Sequence, residues 1–114
     1  MPFLRIQTNA PLAPNRADEL LAAATKTVSS GLGKPERYVM IALEPDRLLM
    51  FAGSKAPAAI LELSGIDLDK AQASRLAGSL CSLLEEQAQV AKDRVFIIFT
   101  SVERRMWGWN ATTF

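Results

Sequence analysis

The sequence predicts an α+β fold in which two βαβ repeats build a four-stranded mixed sheet with two helices on one face. Three observations carry this. The order strand, helix, strand occurs twice, at a separation of about 57 residues. Both helical stretches carry an apolar stripe on an otherwise polar surface, as helices laid on a sheet do. The strand closing each repeat, Val39 to Leu43 and Val95 to Phe99, is apolar at every position, the pattern of a strand covered on both sides. The 114 residues read as one domain, with repeats at about residues 2–52 and 58–101 and a tail at 102–114.

In chain order, Leu4 and Ile6 alternate with Arg5 and Gln7, so residues 2–8 form a strand with one apolar face. Asn9 to Asn15 break it. Pro14 suits the first turn of a helix, because its missing N–H has no partner to lose there. Leu20, Leu21, Ala24 and Val28 then recur at helical spacing until Gly31 and Gly33. Val39 to Leu43 is the second strand, Glu44-Pro45-Asp46-Arg47 has turn chemistry, and Leu48 to Phe51 returns as a short strand. The second cycle has a strand at about Ala58 to Leu63, a helix at about Asp67 to Gln87 with Leu76, Leu80, Leu83 and Leu84 on one stripe, and a strand at Val95 to Phe99. The tail, with Trp107 and Trp109, adds short edge strands. Two helices cover only one side of a sheet, so the doubly apolar strands call for a second copy of the chain on the other side.

Composition narrows the function classes. With 13 basic against 12 acidic residues there is no field to hold phosphate backbones or anionic lipid, so neither nucleic acid nor membrane is an expected partner. Arg104-Arg105 beside Trp107 and Trp109 is too small a basic and aromatic surface to change that. No apolar run reaches the about 18 residues of a membrane span, and the start Met1-Pro2-Phe3-Leu4-Arg5 does not read as a signal peptide. There is no histidine, and Cys81 is the only cysteine, which leaves no ordinary zinc cluster, internal disulfide or thiolate–imidazole pair. The expected location is the cytoplasm. Asn110-Ala111-Thr112 matches a glycosylation acceptor only formally.

The candidate chemistry begins at Pro2. Removal of Met1 leaves proline as a free secondary amine, which titrates near the α-amino range of about 7.7 to 8.0 and so exchanges protons near neutrality. In a chain without histidine it is a natural general base. Lys34, in the turn Gly33-Lys34-Pro35, and Tyr38, at a strand entrance, are the next candidates for a pocket.

Pro2, Thr8-Asn9, Pro11, Gly33-Lys34-Pro35 with Tyr38, Pro45-Asp46, Gly53-Ser54, Asp93-Arg94-Val95, and Gly108-Trp109-Asn110 with Thr113-Phe114 together resemble the macrophage migration inhibitory factor family of the tautomerase superfamily. The resemblance spans nearly the whole chain. It implies a homotrimer with pockets between subunits, and a cofactor-independent keto–enol tautomerase acting on phenylpyruvate, hydroxyphenylpyruvate or a dopachrome derivative. By position, Pro2 is the proton shuttle, Lys34 holds the substrate carboxylate, Ile66 donates a backbone N–H, and Tyr38 edges the pocket. Val102, Trp107 and Phe114 fall where the family has pocket walls, and Trp107 is bulkier than the valine of the vertebrate form. No metal or organic cofactor is implied.

Departures qualify the transfer. Phe96 replaces a tyrosine, and Ile98 an asparagine, that reach a neighbouring subunit's pocket in the vertebrate protein. These changes predict weaker activity and a relative loss of hydroxylated substrates. The vertebrate Cys-x-x-Cys falls on Ala58 to Leu61, so thiol oxidoreductase activity is not expected. The alternative function is a trimeric protein-binding or signalling protein with vestigial tautomerase activity, whose receptor the sequence does not name. The family analogy also admits secretion without a leader.

Overall fold

A computed structural model of the protein describes residues 1–114. Strand β1 (Phe3–Thr8) leads to helix α1 (Pro14–Leu32) and strand β2 (Met40–Glu44). Strand β3 (Ala59–Ile66), helix α2 (Lys70–Ala88) and strand β4 (Val95–Val102) repeat the cycle. The sheet order is β2-β1-β3-β4. β1 pairs parallel with β2, β3 parallel with β4, and the two halves join antiparallel through β1 and β3. This is the expected four-stranded mixed sheet of two βαβ units.

Each element has a local cause. α1 starts with Pro14 at its first turn and stops at Gly33, whose φ of 63° is left-handed and lets its N–H reach the Ser29 carbonyl. α2 starts at a reciprocal cap. The Asp69 carboxylate accepts from the Gln72 N–H at 2.7 Å, while the Gln72 amide oxygen accepts from the Asp69 N–H at 3.1 Å. That cap moves the start of α2 to Lys70, three residues beyond the expected Asp67, which itself turns the chain with a φ of 54°.

The core lies between the helices and one face of the sheet. Leu20, Ala24 and Val28 of α1 and Leu76, Leu80, Leu83 and Leu84 of α2 pack on Leu4, Ile6, Leu61 and Leu63. Each fully buried leucine contributes roughly 1.5 to 3 kcal/mol of transfer free energy. Gly31 lets the helices approach, since a Cβ there would lie 2.5 Å from Leu76 Cδ2. At the sheet end Thr8, wholly buried, donates its hydroxyl to the Ala58 carbonyl at 2.7 Å and accepts from the Ala10 N–H at 3.1 Å.

Three expectations need correction. Leu48 to Phe51 is not a strand; only an isolated bridge joins Phe51 to Ser54, and Leu48 stands fully in solvent. β3 and β4 run to Ile66 and Val102, past the apolar runs that announced them, because Ser64, Gly65 and Ile66 pair with Thr100, Ser101 and Val102. The ladder satisfies the backbone whatever the side chains are. The tail does not edge the main sheet. β5 (Gly108–Trp109) and β6 (Thr112–Thr113) form their own hairpin, with Asn110 and Ala111 both at positive φ, as a tight hairpin turn requires.

The doubly apolar strands are covered on one side within the chain. Val95, Ile97 and Phe99 pack against the core, while Phe96 and Ile98 on the other face are 61% and 55% exposed and Met40 is 66% exposed. The loop residue Phe51 touches Phe96 and the tail approaches Met40, yet all three side chains stay more than half exposed. No helix is long and apolar enough to cross a membrane.

Candidate active site

Pro2 stands immediately before β1, the strand that joins the two halves. Its carbonyl accepts from the Met40 N–H at 3.1 Å, and its side chain is fully buried. The β1 register sets Phe3 opposite Met40 on one side and Ser64 on the other, so Pro2 lies beside the start of β2 and the end of β3. A residue at the edge of the sequence is thereby placed at the middle of the sheet.

Two cavities meet there, and Met1 and Pro2 are the residues common to both. The smaller, of ≈ 100 Å³, is lined also by Lys34, Ile66, Asp67 and Gln72. Lys34 reaches it because α1 ends at Gly33. The Lys34 N–H donates to the Ser29 carbonyl at 3.1 Å and the Ser29 hydroxyl donates back to the Lys34 carbonyl, which fixes the turn from which the lysine projects. Asp67 sits 3.8 Å from Arg104.

The larger cavity, of ≈ 580 Å³, is mostly apolar and aromatic. Tyr38, Met40, Val102, Met106, Trp107 and Trp109 line it together with Arg37 and Ser64. Tyr38 meets Trp109 edge-on, with ring centroids 5.7 Å apart, and Phe114 stacks behind Trp109 at 6.1 Å. The Phe114 N–H donates to the Trp107 carbonyl at 3.3 Å, so the chain end is tied to this wall. The Met1 amine is pushed below its ordinary value by burial first, then by the positive charges of Lys34 and Arg104. An amine at this spot is therefore biased toward its neutral form.

Pro2, Lys34 and Ile66 thus share one cavity, and Pro2, Tyr38, Val102 and Trp107 share the other. Phe114 supports the second from behind. Phe96 and Ile98 line neither; they lie on the open face of β4, where Phe96 packs on Phe51 at 4.6 Å. Sequence reasoning missed Arg37, Met106 and Arg104, and it did not assign Trp109 to the site. Arg37 adjoins Tyr38, which was the available signal. Met106 and Arg104 gave none, because their approach depends on the turn at Arg104–Met106. No group of three His, Cys, Asp or Glu side chains is placed to hold a metal ion.

Compared with known proteins, residues 1–114 match the family model described as macrophage migration inhibitory factor. The chain belongs to the macrophage migration inhibitory factor family. It is 31% identical over 115 residues to the macrophage migration inhibitory factor of Meriones unguiculatus, covering 100% of this chain and 99% of the relative. The crystal structure of the homologue from Prochlorococcus marinus superposes with a TM-score of 0.93 at 32% identity, covering 98% of each chain. The factor from Toxoplasma gondii gives 0.92 at 28% identity, covering 98% of this chain and 99% of that one. Membership supports an isomerase-type function of the tautomerase superfamily.

Proposed function

We propose that the chain is a cofactor-independent keto–enol tautomerase for phenylpyruvate-like α-keto acids, working as a homotrimer with Pro2 as general base once Met1 is removed. One observation carries the reading: Pro2 is buried where a cavity holding a lysine meets a larger aromatic one. Removing Met1 takes away the residue that, with Pro2, stands between them. The freed imino nitrogen then faces both.

In the proposed reaction the neutral Pro2 nitrogen takes a proton from the carbon next to the keto group. The C–H electrons form the carbon–carbon double bond, and the carbonyl π electrons move onto oxygen. Lys34 and the Ile66 N–H hold the substrate carboxylate, and the lysine charge also stabilises the developing enolate. The protonated Pro2 nitrogen then gives that proton up to the oxygen, which forms the enol and restores the neutral amine. The ring lies in the cavity walled by Tyr38, Val102, Trp107 and Trp109. A third wall comes from Phe96 and Ile98 of an adjacent subunit, which is how residues on the open face of β4 enter a site that their own chain does not complete.

The decisive variant is Pro2→Gly. A positioned general base contributes about 10²- to 10⁴-fold. The variant, confirmed by intact mass to lack Met1, is expected to tautomerise phenylpyruvate at least about 100-fold more slowly while sedimenting as wild type does. Equal rates for the two proteins defeat the proposal. The exposed Phe96 and Ile98 favour a second reading, a protein-binding trimer with vestigial chemistry, and equally slow wild type and variant would support it.

A further inference from the structure

The larger cavity carries one charged side chain, and it is positive. Arg37 lines it, and no acidic residue does. The arginine sits in the short helical turn Glu36–Tyr38, held by the Tyr38 N–H on the Pro35 carbonyl at 3.0 Å and the Val39 N–H on the Glu36 carbonyl at 3.0 Å. Its guanidinium lies over the Tyr38 ring, 4.8 Å from the centroid. A cation–π contact uses none of the guanidinium N–H groups as conventional hydrogen-bond donors to oxygen. The ion pairs of the chain engage Arg5, Arg16, Arg47, Lys92 and Arg104, and none engages Arg37, although Glu36 is its neighbour. No side-chain hydrogen bond of Arg37 is formed either, in contrast to Arg94, whose guanidinium is consumed by the carbonyls of Phe51, Ser54, Ala56 and Pro57.

Arg37 and Lys34 therefore bracket the Met1–Pro2 junction, one in each cavity, with apolar and aromatic walls between them. We propose that Arg37 is a specificity-determining residue for a second carboxylate, so that the site favours aromatic α-keto acids carrying a carboxylate at the far end of the ring. For turnover this rests on the tautomerase reading; for binding it does not. The physical basis is that a guanidinium edge pairs with a carboxylate through two parallel N–H···O bonds. A pair of cations, one lining each cavity, favours a dianion whose two carboxylates reach both over a monoanion. Arg37 is exposed, so the pair is worth at most about 1 kcal/mol, or about fivefold in affinity.

The test uses the full chain, its Met1-free state confirmed by mass, as wild type, Arg37→Gln and Arg37→Lys. Both tryptophans of the chain, Trp107 and Trp109, line the cavity, so its tryptophan emission reads occupancy directly. Titration with 3-phenylpropionate and 3-(4-carboxyphenyl)propionate, neither of which turns over, is expected to show about a fivefold preference for the dianion in wild type. That preference should disappear in Arg37→Gln, return in part in Arg37→Lys, and shrink with added salt. In parallel, the ratio of kcat/KM for 4-carboxyphenylpyruvate over phenylpyruvate should fall about fivefold in Arg37→Gln. Equal affinity of wild type for the two acids, or an equal drop for both in the variant, overturns the inference even if phenylpyruvate is turned over. A dianion preference lost in Arg37→Gln without any turnover sustains it while removing the tautomerase reading.

Discussion

Replacing Lys34 with methionine removes the only cationic side chain lining the smaller cavity while keeping an unbranched apolar stem. Two effects follow. A substrate carboxylate loses a charged hydrogen-bond partner, worth about 1.5 to 3 kcal/mol. Lys34 is half-buried rather than enclosed, which places the loss toward the lower part of that range. The expected fall in kcat/KM for phenylpyruvate is about 10- to 40-fold. The second effect is on the base. The Met1 amine is lowered first by burial and next by the Lys34 charge; a Pro2 amine facing the same lysine is expected to rise in pKa when that charge is removed. Because the neutral amine is the reactive form, kcat/KM climbs with pH through that pKa and then levels. Raising the pKa therefore moves the climb to higher pH. The assay is phenylpyruvate ketonisation followed by ultraviolet absorbance across a pH series, for wild type, Lys34→Met and Lys34→Arg. The arginine variant keeps the charge and should keep the wild-type midpoint. A Lys34→Met profile that shifts to lower pH, or a rate within twofold of wild type, refutes the reasoning.

Thr8→Val leaves the Ala10 N–H without its acceptor and the Ala58 carbonyl without its closest donor in a fully buried site, and is expected to cost about 1 to 3 kcal/mol in urea unfolding. A loss below about 0.5 kcal/mol would mean that the backbone finds other partners. Glu44 is held below the usual carboxylate range chiefly by its hydrogen bond from Arg5 at 2.6 Å. A carboxylate whose folded pKa is lowered stabilises the fold above its unfolded value of 4.5, and this is lost as pH falls through the folded value. The Tm of wild type should therefore drop more steeply than that of Glu44→Gln on acidification below that value; parallel curves would contradict the linkage. Phe96→Tyr combined with Ile98→Asn should raise the preference for hydroxyphenylpyruvate over phenylpyruvate by less than about tenfold, as one regained hydrogen bond allows. An unchanged ratio of kcat/KM would show that these residues do not meet the ring.

Much of the fold was legible because each repeat obeys local rules. The stripes of α1 and α2, Pro14 at a helix start, Gly33 at a helix end and the two apolar closing strands each reflect short-range geometry. Where expectation failed, the missing information was non-local. Thr100 and Ser101 have no strand pattern, yet they are strand because Ser64 and Gly65 lie beside them. Leu48 to Met50 has the composition of a strand, but no strand of the same chain lies alongside to receive its hydrogen bonds. The hairpin of the tail was signalled only by Asn110, and its independence from the main sheet by nothing in the sequence.

By itself the sequence determined the order of elements, the family and the chemical types present: a proline able to become an amine, a turn lysine, an aromatic tail, and no histidine. Tertiary structure alone decided that Pro2 is buried, that Lys34 and Arg37 stand in different cavities on either side of it, and that Phe96 and Ile98 face away. The reason is physical. Burial and field at Pro2 come from β2, β3, the end of α1 and the tail, segments separated by tens of residues, and such terms exist only once the sheet has brought them together.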